Sequence, residues 1–152
     1  MHDRLLAKIL EDISSYGHTV IGVADGKHPF AYTIGLFSDK AFGFELMIVG
    51  LRPDLACVII NEVASKIRDG WPLQFDLPDE RWANLPVLFK RTNENEDLMR
   101  TEYFVQADQY YGTTVPVVQI VMPDKEGNFP GDEKYDTEYM DPRQPLFFKV
   151  AA

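Results

Sequence analysis

Cysteine is almost missing from this chain: Cys57 is the one thiol in 152 residues. That excludes an intramolecular disulfide and fits a reducing compartment. Its neighbours Ala56, Val58 and Ile59 make it read as a core thiol on a helix. Histidine is nearly as scarce, with His2, His18 and His28 only, and no Cys/His spacing suits zinc, so no metal is expected. Long apolar runs are missing too. None approaches the ~20 residues of a membrane span, and Lys8, Glu11 and Asp12 make the first segment an amphipathic helix, not a signal peptide. The expected location is the cytoplasm, with no membrane partner. Basic residues number 15 against 24 acidic ones, a net charge of -9. They are scattered, with no run of five or more, which argues against nucleic acid and anionic membranes. A Gly-rich phosphate loop, a G-x-S-x-G elbow and an H-E-x-x-H helix are all lacking, so no cofactor is expected.

What is present reads as one α+β domain over 1–152, with a mainly antiparallel sheet and about three helices on one face. Leu5, Leu6, Ile9, Leu10 and Ile13 form a helical stripe from Arg4 to Tyr16, capped by Asp3 and closed by Gly17. Strands follow at His18–Val23 and Phe30–Leu36, turning at Asp25-Gly26. A third strand covers Phe44–Gly50, after a loop from Phe37 to Lys40. Pro53 opens a second helix that ends at Asp69-Gly70. Leu85–Lys90 reads as a strand, and a third helix runs from a cap at Thr92 or Asn93 to Tyr110. Val115–Met122 is the most β-prone run, with Pro116 at its start or on an edge. The stretch 129–141 is polar, aromatic and irregular, and Gln144–Val150 reads as a last short strand.

Three groups of residues carry chemistry that a core does not need. The segment Phe30-Ala31-Tyr32-Thr33-Ile34-Gly35-Leu36 holds a Tyr-Thr pair and a glycine, and Glu45 opens the next strand. A polar group buried without a partner costs a few kcal/mol, so these are paired, exposed or functional. Gly35 marks a bulge or a site where a ligand approaches the backbone. Glu45 could bind a cation or hydroxyl, or serve as a base if burial raises its pKa, or it could pair with Lys40 or Arg52 at a sheet end. Gln119, alone in an apolar strand, is a hydrogen-bond fixture or a pocket wall. The candidate ligand-binding set is therefore Tyr32, Thr33, Gly35, Glu45 and Gln119. Candidate catalytic residues are His18, Glu45 and Asp124. His18 has the reference pKa for acid–base work, against a capping role.

The chain resembles the small bacterial and phage proteins grouped as domain of unknown function 4262. The resemblance rests on Tyr16-Gly17-His18, on Phe30 to Leu36, on Glu45-Leu46 leading into Ile48-Val49-Gly50, on Gln119 with Asp124, Gly127, Phe129 and Pro130, and on Gln144-Pro145-Leu146. It spans residues 8–148. Gly43-Phe44 stands before Glu45 where the family often has a proline. The family carries no established reaction, so the resemblance supports positions, not an activity.

The expectation is a protein that binds a small molecule, nucleotide-like in one version, around the Tyr32–Leu36 strand. A hydrolase using Glu45 or Asp124 with His18 or Tyr32 is the rival. A third reading is an acidic module that neutralises a basic protein partner, because complementary charge speeds association. A homodimer is expected from the uncharged run Val115–Met122, which must be central or covered, with the tail wrapping a second subunit.

Overall fold

Helix α1 (Asp3–Tyr16) forms where the apolar stripe predicts it. The cap is His2, not Asp3: its Nδ1 accepts the Arg4 N–H at 3.2 Å. Gly17 closes the helix at φ 87°, donating its N–H to the Ile13 carbonyl. The computed structural model describes residues 1–82 and 85–150 of the expected 1–152 domain. After α1 come β1 (Thr19–Val23), β2 (Phe30–Ile34), a 3-10 turn (Leu36–Ser38), β3 (Glu45–Val49) and α2 (Pro53–Arg68). Then follow β4 (Leu88–Arg91), α3 (Glu96–Glu102), α4 (Val105–Tyr111), β5 (Val117–Val121) and α5 (Thr137–Met140).

The five strands form one sheet in the order β1-β2-β3-β5-β4. Three neighbouring pairs are antiparallel and β3–β5 is parallel. The α+β class and the mostly antiparallel sheet agree with the sequence. Helix number and placement do not: there are five α-helices among the described residues, and they cover both faces. The reason lies in the strands. All five positions of β2, β3 and β5 are buried, and strands buried on both faces need a cover on each. On one face α2 packs Ala56, Ile60, Val63 and Ala64 onto Ala31, Leu46, Ile48 and Val118. On the other, α1, α3 and α4 pack Ile9, Met99, Phe104 and Ala107 onto Phe30, Tyr32, Ile34 and Met47.

Other local expectations change. The β1–β2 connection runs from Ala24 to Pro29 and is not a two-residue turn. The helix expected from 92 to 110 breaks at Tyr103–Phe104 into α3 and α4, because both rings are buried in the core. The tail contains α5, and Gln144–Val150 is not a strand.

β5 is interior and the edges are β1 and β4. The tail that was to wrap a partner docks on its own chain. The Gln144 amide takes both backbone groups of Met122, accepting from its N–H at 2.9 Å and donating to its carbonyl at 3.1 Å. His28 sits between the Tyr103 hydroxyl, at 2.7 Å, and the Pro142 carbonyl, at 3.0 Å. Among the described residues no helix is long and apolar enough to cross a membrane.

Candidate functional site

Glu45 is fully buried, yet it does not pair with Lys40 or Arg52. Five donors converge on its carboxylate. Thr33 Oγ1 donates at 2.7 Å, the backbone N–H groups of Gly35, Leu36 and Phe37 at 3.3, 3.1 and 2.9 Å, and the Tyr111 hydroxyl at 2.5 Å. The three N–H groups belong to the start of the 3-10 turn, which has no intrahelical acceptors for them. A carboxylate there matches both the hydrogen bonds and the dipole. Gly35 makes the geometry possible. It sits at φ 116°, and a Cβ on it would lie 3.0 Å from the Gly17 carbonyl and 3.1 Å from His18 Cα. At Gly35, where the sequence suggests approach by a ligand, it is the chain itself that comes close.

Each hydroxyl in this network also accepts. Thr33 Oγ1 takes the Leu46 N–H at 2.9 Å, just where the β2–β3 ladder stops after Tyr32↔Met47. The Tyr111 oxygen takes the Gly35 N–H at 2.9 Å. Burial pushes the Glu45 carboxyl above its ordinary pKa, and the donors offset part of that rise. Burial and the Glu45 charge push the Tyr111 phenol up as well, so it stays a neutral donor.

Thr33, Gly35 and Glu45 thus come together on one another. Tyr32 and Gln119 reach other partners. The Tyr32 hydroxyl accepts the Gln106 N–H at 3.1 Å, in the first turn of α4. Gln119 donates to the Pro145 carbonyl at 2.9 Å and accepts the Phe147 N–H at 3.0 Å, fastening the tail. Asp124 accepts N–H groups from Glu126, Asn128 and Asp136 at 3.0, 2.8 and 2.9 Å, which sets a turn and anchors the tail again. Burial pushes its carboxyl up, but those N–H bonds win and its pKa is lowered. Each of these side chains has partners within the chain; Asp124 also lines a separate, mostly apolar pocket of about 420 Å³ with Leu51, Leu55, Pro86 and Met122.

His18 stands elsewhere. It opens onto a cleft of about 770 Å³ at the start of β1, between α1 and α2. Lys8, Asp12 and Tyr16 line it from α1, and Cys57, Asn61, Ser65 and Arg68 from α2. His18 Nδ1 lies 3.1 Å from Arg68 Nη1, and Nε2 lies 2.8 Å from Asn61 Oδ1. Arginine can only donate, so Nδ1 accepts and the ring proton is assigned to Nε2. Burial lowers the His18 pKa, Arg68 adds to that, and the Asn61 bond and the charges of Asp12 and Asp39 offset only part. His18 is thus a neutral, oriented wall. Next to it Asp12 accepts from Lys8 at 2.8 Å and from Thr19 Oγ1 at 2.6 Å. Those two bonds, Lys8 first, hold its carboxyl below the usual range. Arg68 Nε reaches Asp39 at 3.4 Å, while its buried Nη2, against Gly17, has no acceptor.

This arrangement can recognise hydrogen-bonding groups. It is poorly set for nucleophilic chemistry, because burial raises the Cys57 thiol and both His18 nitrogens are engaged. From the sequence His18 stands alone, without the neighbours that meet it in the fold. The signal was there: Pro53, Cys57, Asn61 and Ser65 step down α2 at four-residue spacing, on a row less apolar than the core row beside it.

Residues 12–136 match the family described as Domain of unknown function (DUF4262). The chain belongs to that family. No curated protein and no solved structure matches it. The family span holds the Glu45 network and most of the His18 cleft. It leaves out Lys8 at one end and the docked residues Gln144, Pro145 and Phe147 at the other.

Proposed function

We propose that this protein binds a small polar molecule, and that the ligand sits in the cleft beside His18, not at the Tyr32–Leu36 strand. One observation carries the reading. The cleft gathers hydrogen-bonding side chains from three elements around an open volume, within the range of ligand sites. The Glu45 network, by contrast, has used its donors and acceptors internally. Asn61 and Ser65 are exposed in the cleft, and Tyr16 stands at its rim as an aromatic platform. Tyr16 with Lys8 and Arg68 supports a nucleotide-like version. Asp12 and Asp39 already sit on those cations, which disfavours a heavily phosphorylated ligand.

Native mass spectrometry of the protein purified from its host tests this. A retained small molecule is expected on the wild-type chain and not on Ser65→Trp, which fills the cleft from an exposed position. Release of a chemically changed product would replace binding by turnover. A wild-type spectrum without adduct, together with no thermal shift across a set of polar metabolites and short peptides, would overturn the reading.

A further inference from the structure

The two edges of the sheet are treated differently. Residues 75–79 cover β4: Phe75 and Asp79 bridge to Phe89 and Val87, and Asp79 and Val87 exchange both backbone hydrogen bonds, at 2.9 and 3.1 Å. Lys90 and Arg91 also place two charges on that strand. β1 has neither protection. Its sequence, Thr-Val-Ile-Gly-Val, contains no charge and no proline. Among the described residues, no backbone hydrogen bond outside the β1–β2 ladder reaches Thr19–Val23. An edge strand paired on one side presents alternate N–H and C=O groups outward, a template for another strand.

The cleft beside His18 lies over this edge. Its floor is His18, Thr19 and Val20, and its walls are α1 on one face of the sheet and α2 on the other. We propose that the occupant of the cleft is an extended peptide segment that adds to β1 as a sixth strand. This rests on the reading above that the cleft is a binding site, and it names the class of ligand. Main-chain pairing with β1 would supply affinity, and side chains would alternate between the two walls. The cleft meets β1 at Thr19 and Val20, and the open edge continues beyond it to Val23, a track of about five residues at ~3.3 Å each. A second copy of β1 would bring its own α1 and α2 to the same space, so the walls favour a single segment over a self-paired sheet. The charged side chains of the cleft balance, Lys8 and Arg68 against Asp12 and Asp69, so it is the net charge of -9 on the whole chain that steers a segment of net positive charge toward it. The partner is thus a basic, extended, proline-poor peptide or chain terminus.

Phage-displayed random heptapeptides provide the test, selected on the full chain and counter-selected on Ser65→Trp. Ser65 is exposed and its side chain makes no hydrogen bond, so a melting curve matching wild type checks that the variant folds. Expected are basic peptides with micromolar binding to wild type, at least tenfold weaker on Ser65→Trp. Proline at alternate positions should cost a further tenfold, and bound peptide should slow amide exchange in Thr19–Val23. No enriched peptide that depends on the open cleft would overturn the proposal, as would bound peptides that leave those amides unprotected. A small metabolite held in the cleft with no peptide selected would overturn strand addition and keep the binding site. Neither kind of ligand would overturn both. Light scattering separates the remaining case: a dimer lost in Ser65→Trp would assign β1 to a second copy and overturn the peptide.

Discussion

At Glu45 a carboxylate leaves water and receives five donors in exchange. Burying a charge is tolerable only with such compensation. Glu45→Gln should therefore destabilise the fold by about 2–4 kcal/mol, because the amide NH₂ turns a donor toward donors. Tyr111→Phe should cost about 1–3 kcal/mol, because Glu45 Oε2 loses its hydroxyl donor and the Gly35 N–H keeps only its 3.3 Å bond to the carboxylate. Urea midpoints with unchanged m-values check both, and a loss below 0.5 kcal/mol in either would show that the network is not structural. The sequence made part of this visible. A carboxylate and a threonine inside apolar strands had to have partners, and Thr33 was named with Glu45. It could not show that the partners were three backbone amides and a tyrosine far along the chain. That depends on the φ of Gly35 and on where α4 ends, which are tertiary facts. His18 was legible as chemistry and not as a place, because Asn61 and Arg68 meet it only once α2 crosses β1.

Elements were easier to read in kind than in arrangement. The apolar periods of α1 and α2 and the β-prone run of β5 all appear in the structure within a few residues of their expected bounds. The second layer of helices was missed because short turns suggested a sheet with one wet face, while β2, β3 and β5 were already uninterrupted apolar runs. The cover on β4 was also invisible, since its Pro-rich sequence has no period. Asp79 organises that cover. It accepts from Arg81 at 2.7 Å and from the buried Trp82 indole at 2.9 Å. Arg81 first, with its own backbone N–H and Trp82, holds the Asp79 carboxyl far below the usual carboxylate range. A depressed folded-state pKa means a contribution fully present above the unfolded value of about 3.9 and lost as pH falls below it. Wild type should exceed Asp79→Asn in stability by a constant margin from pH 7 to about pH 5. The margin should then shrink through about pH 4 and below, as thermal melts at each pH would record. A margin that widens on acidification would contradict the assignment.

For the molecule as a whole, two glutamines do reciprocal work. Gln119 of β5 holds the backbone of the tail, and Gln144 of the tail holds the backbone at the end of β5. Phe147, almost fully buried between them, joins the core of the α1 face. Phe147→Ala should cost about 3–5 kcal/mol. Gln119→Ala should cost about 1–3 kcal/mol through the unpaired Phe147 N–H and Pro145 carbonyl. Both act on one docked segment, so the double variant should lose less than the sum, and strict additivity in denaturant melts would mean the tail is not a unit. The sheet carries one further consequence, in the time domain. β1, β2 and β3 follow one another and can pair while the chain is still growing. The parallel partner of β3 is β5, and everything from Gly50 to Pro116 lies between them. Closing that long loop is an entropic toll levied before the contact repays it. Docking of β5, with β4 and the tail behind it, is therefore the late event of folding. Until it happens, the inner edge of β3 stands open beside a finished three-strand meander, and that interval is when this chain is most exposed to aggregation.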